Sequence, residues 1–165
     1  MSDLETAREL DPDTRERLDA SNIPAPERAA QEKILLAGCQ QEGIRPSDIL
    51  AFSRVGVYRA PDGVGMGTDD QLMGVLPSIG LMLFREKGGF FRATRVEVQT
   101  MIFDELPGLR FRPEDKQDGR NYGSFDLQGH LSGGQPVVRF EWYWSGDTMT
   151  AALQERERIA KLLPS

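Results

Sequence analysis

The chain has 165 residues, 39% apolar and 28% charged, with a net charge of −6. That length supports one ordinary domain around a single core, and the acid excess argues against general nucleic-acid binding and against unaided docking on anionic membranes. A single cysteine rules out an intrachain disulfide, residues 1–10 lack the apolar stretch of a signal peptide, and no run reaches the roughly 18–20 apolar residues of a membrane span, so the expectation is a soluble cytoplasmic protein without stable membrane insertion.

In chain order, residues 2–20 are charged and helix-favouring. Asp11-Pro12-Asp13 is a helix start, with Asp11 as cap and Pro12 in the first helical position. Its apolar residues are few (Leu4, Ala7, Leu10, Leu18), so it reads as a loosely attached terminus, with a docking helix as the functional alternative. Ile23-Pro24-Ala25-Pro26 is a stiff break. A second helix follows from Pro26 or Glu27 to Gln41 and stops at Gly43, with Ala30, Ile34 and Ala37, joined by Leu35 and Leu36, on its apolar stripe. Cys39 has no adjacent His or basic cluster to lower its pKa and reads as a small semi-buried residue rather than a reactive thiol.

From Asp48 the pattern changes to strands. Ile49-Leu50-Ala51-Phe52 fits a last helical turn or a strand start, and residues 54–58 alternate. Pro61-Asp62-Gly63 is a turn, followed by a polar loop over 64–70 whose glycines match neither the dinucleotide nor the P-loop spacing. Residues 79–85 form a strand, Lys87-Gly88-Gly89 turns the chain, and 90–103 form a long second strand. Val96, Val98, Thr100 and Ile102 lie on one of its faces, Arg95, Glu97, Gln99 and Met101 on the other, and a bulge is expected near Ala93 and Thr94. Residues 109–112 are a short strand and 113–121 a polar loop. Phe125, Leu127, Gly129 and Leu131 alternate before a Gly-rich turn, and Val138, Phe140, Trp142 and Trp144 alternate after it, which makes a hairpin with one buried face and Tyr143 pointing outward. Ser145-Gly146-Asp147 then caps a helix ending near Leu163. Met149, Ala152, Leu153, Ile159, Ala160 and Leu163 form its stripe, and residues 154–158 cover its polar face.

The order of helices first, then six or seven hairpin strands, then one helix predicts an α+β fold: a curled antiparallel sheet or small, partly open barrel capped by a C-terminal helix. Residues 1–46 form an N-terminal helical extension and 47–165 the domain. Leu81-Met82-Leu83-Phe84-Arg85 through Val96-Glu97-Val98 as one hairpin, and Phe140-Glu141-Trp142-Tyr143-Trp144 leading into the last helix, carry a resemblance. In element order, residues 49–163 resemble bacterial pleckstrin-homology-like (PH-like) domains. The resemblance implies a binding or scaffolding module rather than a particular ligand. Phosphoinositide-binding members of that family carry Lys and Arg around the loop between the first two strands. Residues 60–70 here hold Asp62, Asp69 and Asp70 and no Lys or Arg, which argues against headgroup binding.

Arg85, Lys87, Arg92 and Arg95 flank one turn with Glu86 as the only acid among them, and they are the candidate binding residues for an acidic partner. The bland reading is a solvated hairpin whose charges suppress edge aggregation. No catalytic or metal-binding set is expected, nor any cofactor. His130 is alone, and one His with one Cys makes no zinc site. Asp69-Asp70, Asp104-Glu105 and Glu114-Asp115 sit in polar turns, where a carboxylate stays solvated. The leading expectation is a non-enzymatic module for a protein partner. Self-association is a second possibility, since the stripe of the extension has no obvious cover within the chain. The alternatives are a small-molecule or lipid carrier, lined by Met66, Met73, Met82 and Met101, and an enzyme with an unrecognised site.

Overall fold

The computed structural model describes residues 9–60, 70–89, 92–111, 116–117, 122–130, 137–145 and 148–164. Asp11 caps the first helix, α1 (Pro12–Asp19): its carboxylate accepts from the Thr14 N–H at 3.1 Å and from the Thr14 hydroxyl at 2.5 Å. A short 3-10 turn (Ala25–Glu27) leads into α2 (Arg28–Glu42). That helix ends at Gly43, whose φ of 67° is the left-handed conformation glycine adopts without a Cβ penalty. Another 3-10 turn, Pro46–Asp48, resolves the ambiguity at Ile49 in favour of strand.

The strands are β1 (Ala51–Ala60), β2 (Asp70–Leu76), β3 (Gly80–Gly89), β4 (Arg92–Ile102), β5 (Arg110–Phe111), β6 (Lys116–Gln117), β7 (Tyr122–His130) and β8 (Val137–Ser145). The chain closes with α3 (Met149–Leu162). The strands form one antiparallel open sheet in the order β4-β3-β2-β1-β8-β7-β5, with β6 pairing β7 off that path. The α+β class, the antiparallel sheet and the terminal helix are as the pattern requires. The register irregularity sets the single residue Gly88 of β3 against Ala93 and Thr94 of β4, so the extra residue lies on β4, where the pattern places the bulge.

β1 serves two neighbours in turn. It pairs with β2 from Ala51 to Gly56, then with β8 from Gly56 to Ala60. Its first half therefore has one edge that no strand covers among the described residues, and side chains cover it instead. The Asn22 amide acts as a one-residue strand: Oδ1 accepts from the Arg54 N–H at 2.9 Å and Nδ2 donates to the Arg54 carbonyl at 3.1 Å. Glu155 of α3 accepts from the Phe52 N–H at 2.9 Å.

Both faces of the sheet are buried. Ala51, Val55, Val57, Met73, Val75, Leu81, Leu83, Met101, Phe140 and Trp144 pack on one side with Ala152 and Ile159 of α3. Phe52, Leu72, Leu76, Met82 and Phe84 pack on the other with Leu10, Leu18, Ile23, Leu35 and Cys39. The described part of the N-terminal segment is thus a packed layer rather than a loose terminus: α2 lies on β3 and β4 and buries Leu35, Gly38 and Cys39, while Ala30 and Ala37 of the expected stripe are exposed. Gly38 allows that approach: a Cβ there would sit against the Phe84 ring and 3.0 Å from Val98 Cγ2. Trp144 is buried as the alternation requires, while the side chains of Trp142 and Tyr143 lie outside the described residues. Met73 and Met101 face α3 and Met82 faces α2, so these three do not line a common space; Met66 is outside the described residues.

Candidate functional site

β3 and β4 form the hairpin at one end of the sheet. Alternation along a strand puts Arg85 and Lys87 on the same face, and the antiparallel register sets Arg85 opposite Glu97 and Lys87 opposite Arg95. Glu97 serves two of these cations. Its Oε2 is 2.6 Å from Arg85 Nη2 and its Oε1 is 3.0 Å from Lys87 Nζ. Hydrogen bonding from Lys87, then from Arg85, holds the Glu97 carboxyl below its ordinary pKa range. Exposed pairs of this kind contribute little to stability, so their effect is to fix two side chains in place.

Arg95 is exposed, and no carboxylate pairs with it among the described residues. It stands directly across from Lys87, a like-charge juxtaposition that is unfavourable in an isolated sheet. Glu86 pairs with Val96 and projects from the opposite face. The side chain of Arg92 lies outside the described residues; its backbone pairs with Gly89. Two of the four sequence-predicted cations, Arg85 and Lys87, are therefore brought together on a single carboxylate, and a third, Arg95, stands across from Lys87.

Beside them runs an open groove of about 630 Å3, between α2 and the outer strand of the sheet. It is lined by Ala37, Gln41, Lys87, Arg95, Val96, Glu97 and Val98. Val96 and Val98 are half-buried under the helix and make its apolar floor. The position of α2, set by Gly38, fixes the width of this groove. Nothing in the sequence alone placed Ala37 and Gln41 beside the cations, because that contact depends on how the helix docks.

Cys39 is buried, and desolvation, with the nearby Asp48 charge adding to it, pushes its thiol up to about 12, so no thiolate is available as a nucleophile near neutral pH. Asp70 pairs with Arg54 at 2.7 Å, and the same guanidinium reaches Glu27 at 2.7 Å. Asp104 and Glu105 are exposed in a 3-10 turn. His130 is exposed, and no group of three potential metal ligands occurs among the described residues. Asp69, Glu114, Asp115 and the glycines of residues 63–68 lie outside the described residues.

One acid the sequence assigned to a polar face is buried instead. Glu155 is 0% exposed, and desolvation raises its carboxyl to about 7 against the pull of Arg158. Its oxygens are committed to the Phe52 N–H and to Arg158, and Arg158 also donates to the Ala20 carbonyl at 3.2 Å. These bonds join α3, β1 and the end of α1. The available signal was spacing: Ala152, Glu155 and Ile159 lie at i, i+3 and i+7, on the buried stripe.

No described helix is long and apolar enough to cross a membrane. Comparison of the chain with protein-family models, with curated proteins and with solved structures gives no match.

Proposed function

We propose that this chain is a non-enzymatic binding module that recognises an acidic protein partner at the β3–β4 end of its sheet, on a scaffold of PH-like type. One observation carries the reading: Arg85 and Lys87 share one carboxylate, with Arg95 across from Lys87, beside a groove on a chain of net charge −6. A cation cluster that its own chain leaves under-neutralised attracts an opposite charge from outside and orients its approach. The antiparallel sheet running into a C-terminal helix supports the PH-like assignment of the scaffold.

The test is affinity capture from native lysate, with the wild type beside a variant in which Arg85, Lys87, Arg92 and Arg95 are all replaced by Gln. The expected result is a specific acidic protein retained by the wild type and lost by the variant. Equal retention by both forms removes the hairpin from the binding surface and overturns the reading.

A further inference from the structure

β4 is the terminal strand of the sheet, and among the described residues no strand pairs with its outer side. It is 11 residues long, about twice an ordinary strand, and long bare edges are surfaces on which another chain adds as a strand. Its two ends differ in chemistry. At the N-terminal end stand Arg95 and, across from it, Lys87. At the C-terminal end Ile102 is 41% exposed. Ile79 lies beside it in the β2–β3 turn, its carbonyl accepting from the Phe103 N–H at 2.9 Å, and is 50% exposed. Between the two ends runs the groove floored by Val96 and Val98.

We infer that the outer edge of β4 takes up an extended acidic segment of a partner protein as an added strand, its carboxylates meeting Lys87 and Arg95. This rests on the binding-module reading above and deepens it by naming the form of the partner. Strand addition draws affinity from main-chain hydrogen bonds that any sequence supplies and selectivity from side chains at alternate positions. Here the selective element is charge. Lys87 and Arg95 repel each other until a carboxylate lies between them, while Glu97 is already held by Arg85 and Lys87. An incoming acid removes that repulsion; an incoming lysine adds to it. The groove beside α2 gives room for every second side chain of the added strand, over an apolar floor that favours small aliphatic residues.

The probe is a fluorescently labelled decapeptide of alternating glutamate and valine. It is compared with a lysine–valine decapeptide and with a glutamate–valine decapeptide N-methylated at alternate residues, which keeps the charge but removes ladder donors. Anisotropy titrations use the full chain as wild type, as the K87Q/R95Q double variant and as Glu97→Gln, with folding of each checked by circular dichroism. We expect the acidic peptide to bind the wild type at least tenfold more tightly than the lysine peptide. The double variant and N-methylation should each weaken it at least tenfold, and Glu97→Gln should tighten it by releasing Lys87 and adding Arg85. Amide exchange along β4 should slow on binding.

Equal binding of the N-methylated peptide overturns strand addition while leaving a cationic binding surface intact. Wild-type protein that retains a partner from lysate but binds no decapeptide up to millimolar concentration likewise overturns strand addition alone. Failure of both the capture and the titration removes the binding reading as well. A concentration-dependent dimer that K87Q/R95Q abolishes and the peptide does not disturb assigns the edge to a second copy of the chain and overturns the acidic-segment assignment.

Discussion

Glu155 shows at the level of one side chain how burial sets charge behaviour. Its carboxyl is raised to about 7 in the folded chain, mainly by desolvation, against an ordinary value of 4.5. A raised carboxyl binds a proton in the folded state that the unfolded state has already released. The stability it contributes is therefore present below about pH 4.5 and is lost as pH rises through 7. We expect the urea midpoint of the wild type to fall between pH 5 and pH 8, and Glu155→Gln, which keeps an acceptor for the Phe52 N–H, to flatten that decline. Glu155→Ala leaves that N–H without its acceptor and should cost about 1–3 kcal/mol at pH 5, where the wild-type carboxyl is largely neutral. Gly38 makes the opposite kind of demand, because it is defined by what it lacks. A Cβ at this position would sit 2.7 Å from Phe84 Cε1 and 3.0 Å from Val98 Cγ2. Gly38→Ala must push α2 off the sheet, and we expect a loss of about 1–3 kcal/mol in denaturant titration together with a wider groove beside β4. Cys39, with its thiol at about 12, should react with an aromatic disulfide reagent only after denaturant is added, and rapid labelling of the native chain would contradict its burial.

At the level of elements, what could be read from the sequence was what depends on neighbours in the chain. The Asp11 cap, the Gly43 stop, the Ser124–Ser145 alternation and the α3 stripe are local signals, and each produced its element within a residue or two. The cap is testable: Asp11→Ala should destabilise by about 1 kcal/mol, since it removes both bonds to Thr14. Two features were not legible, because their cause lies far along the chain. Glu155 belongs to a charged run and looks solvated until Phe52, 103 positions away, presents its N–H. Asn22 follows a helix and reads as loop punctuation, yet its amide completes the edge of β1. We expect Asn22→Ala to leave one donor and one acceptor of Arg54 unmet and to lower stability by about 1–3 kcal/mol, where Asn22→Asp keeps an acceptor and loses less. The candidate site divides in the same way. The four cations could be read from one short stretch, while the sharing of Glu97 by Arg85 and Lys87 follows from the register and the groove follows only from the docking of α2.

For the whole molecule, the N-terminal helices belong to the fold. Leu10, Leu18, Ile23, Leu35 and Cys39 bury Phe52, Leu72, Leu76, Met82 and Phe84 from the far side of the sheet. Each large apolar side chain left bare costs roughly 1.5–3 kcal/mol. A chain beginning at residue 47 should therefore bind a hydrophobic dye and lose cooperative unfolding, whereas a separable extension would leave a domain with an unchanged melting transition. The change of partners along β1 bears on how the protein is made. The stretch from Ala51 to Gly56 finds β2 soon after it is synthesised, but the stretch from Gly56 to Ala60 waits for β8, which follows six further strands. During translation the helices, β1, β2, β3 and β4 can assemble in order of emergence, while the face that α3 later covers stays open to water. Only when residues 137–162 leave the ribosome, at about 5–20 residues per second, do β8 and α3 arrive together to close it. A stalled or truncated chain thus presents a half-covered sheet, the kind of surface a nascent-chain chaperone must hold until synthesis is complete.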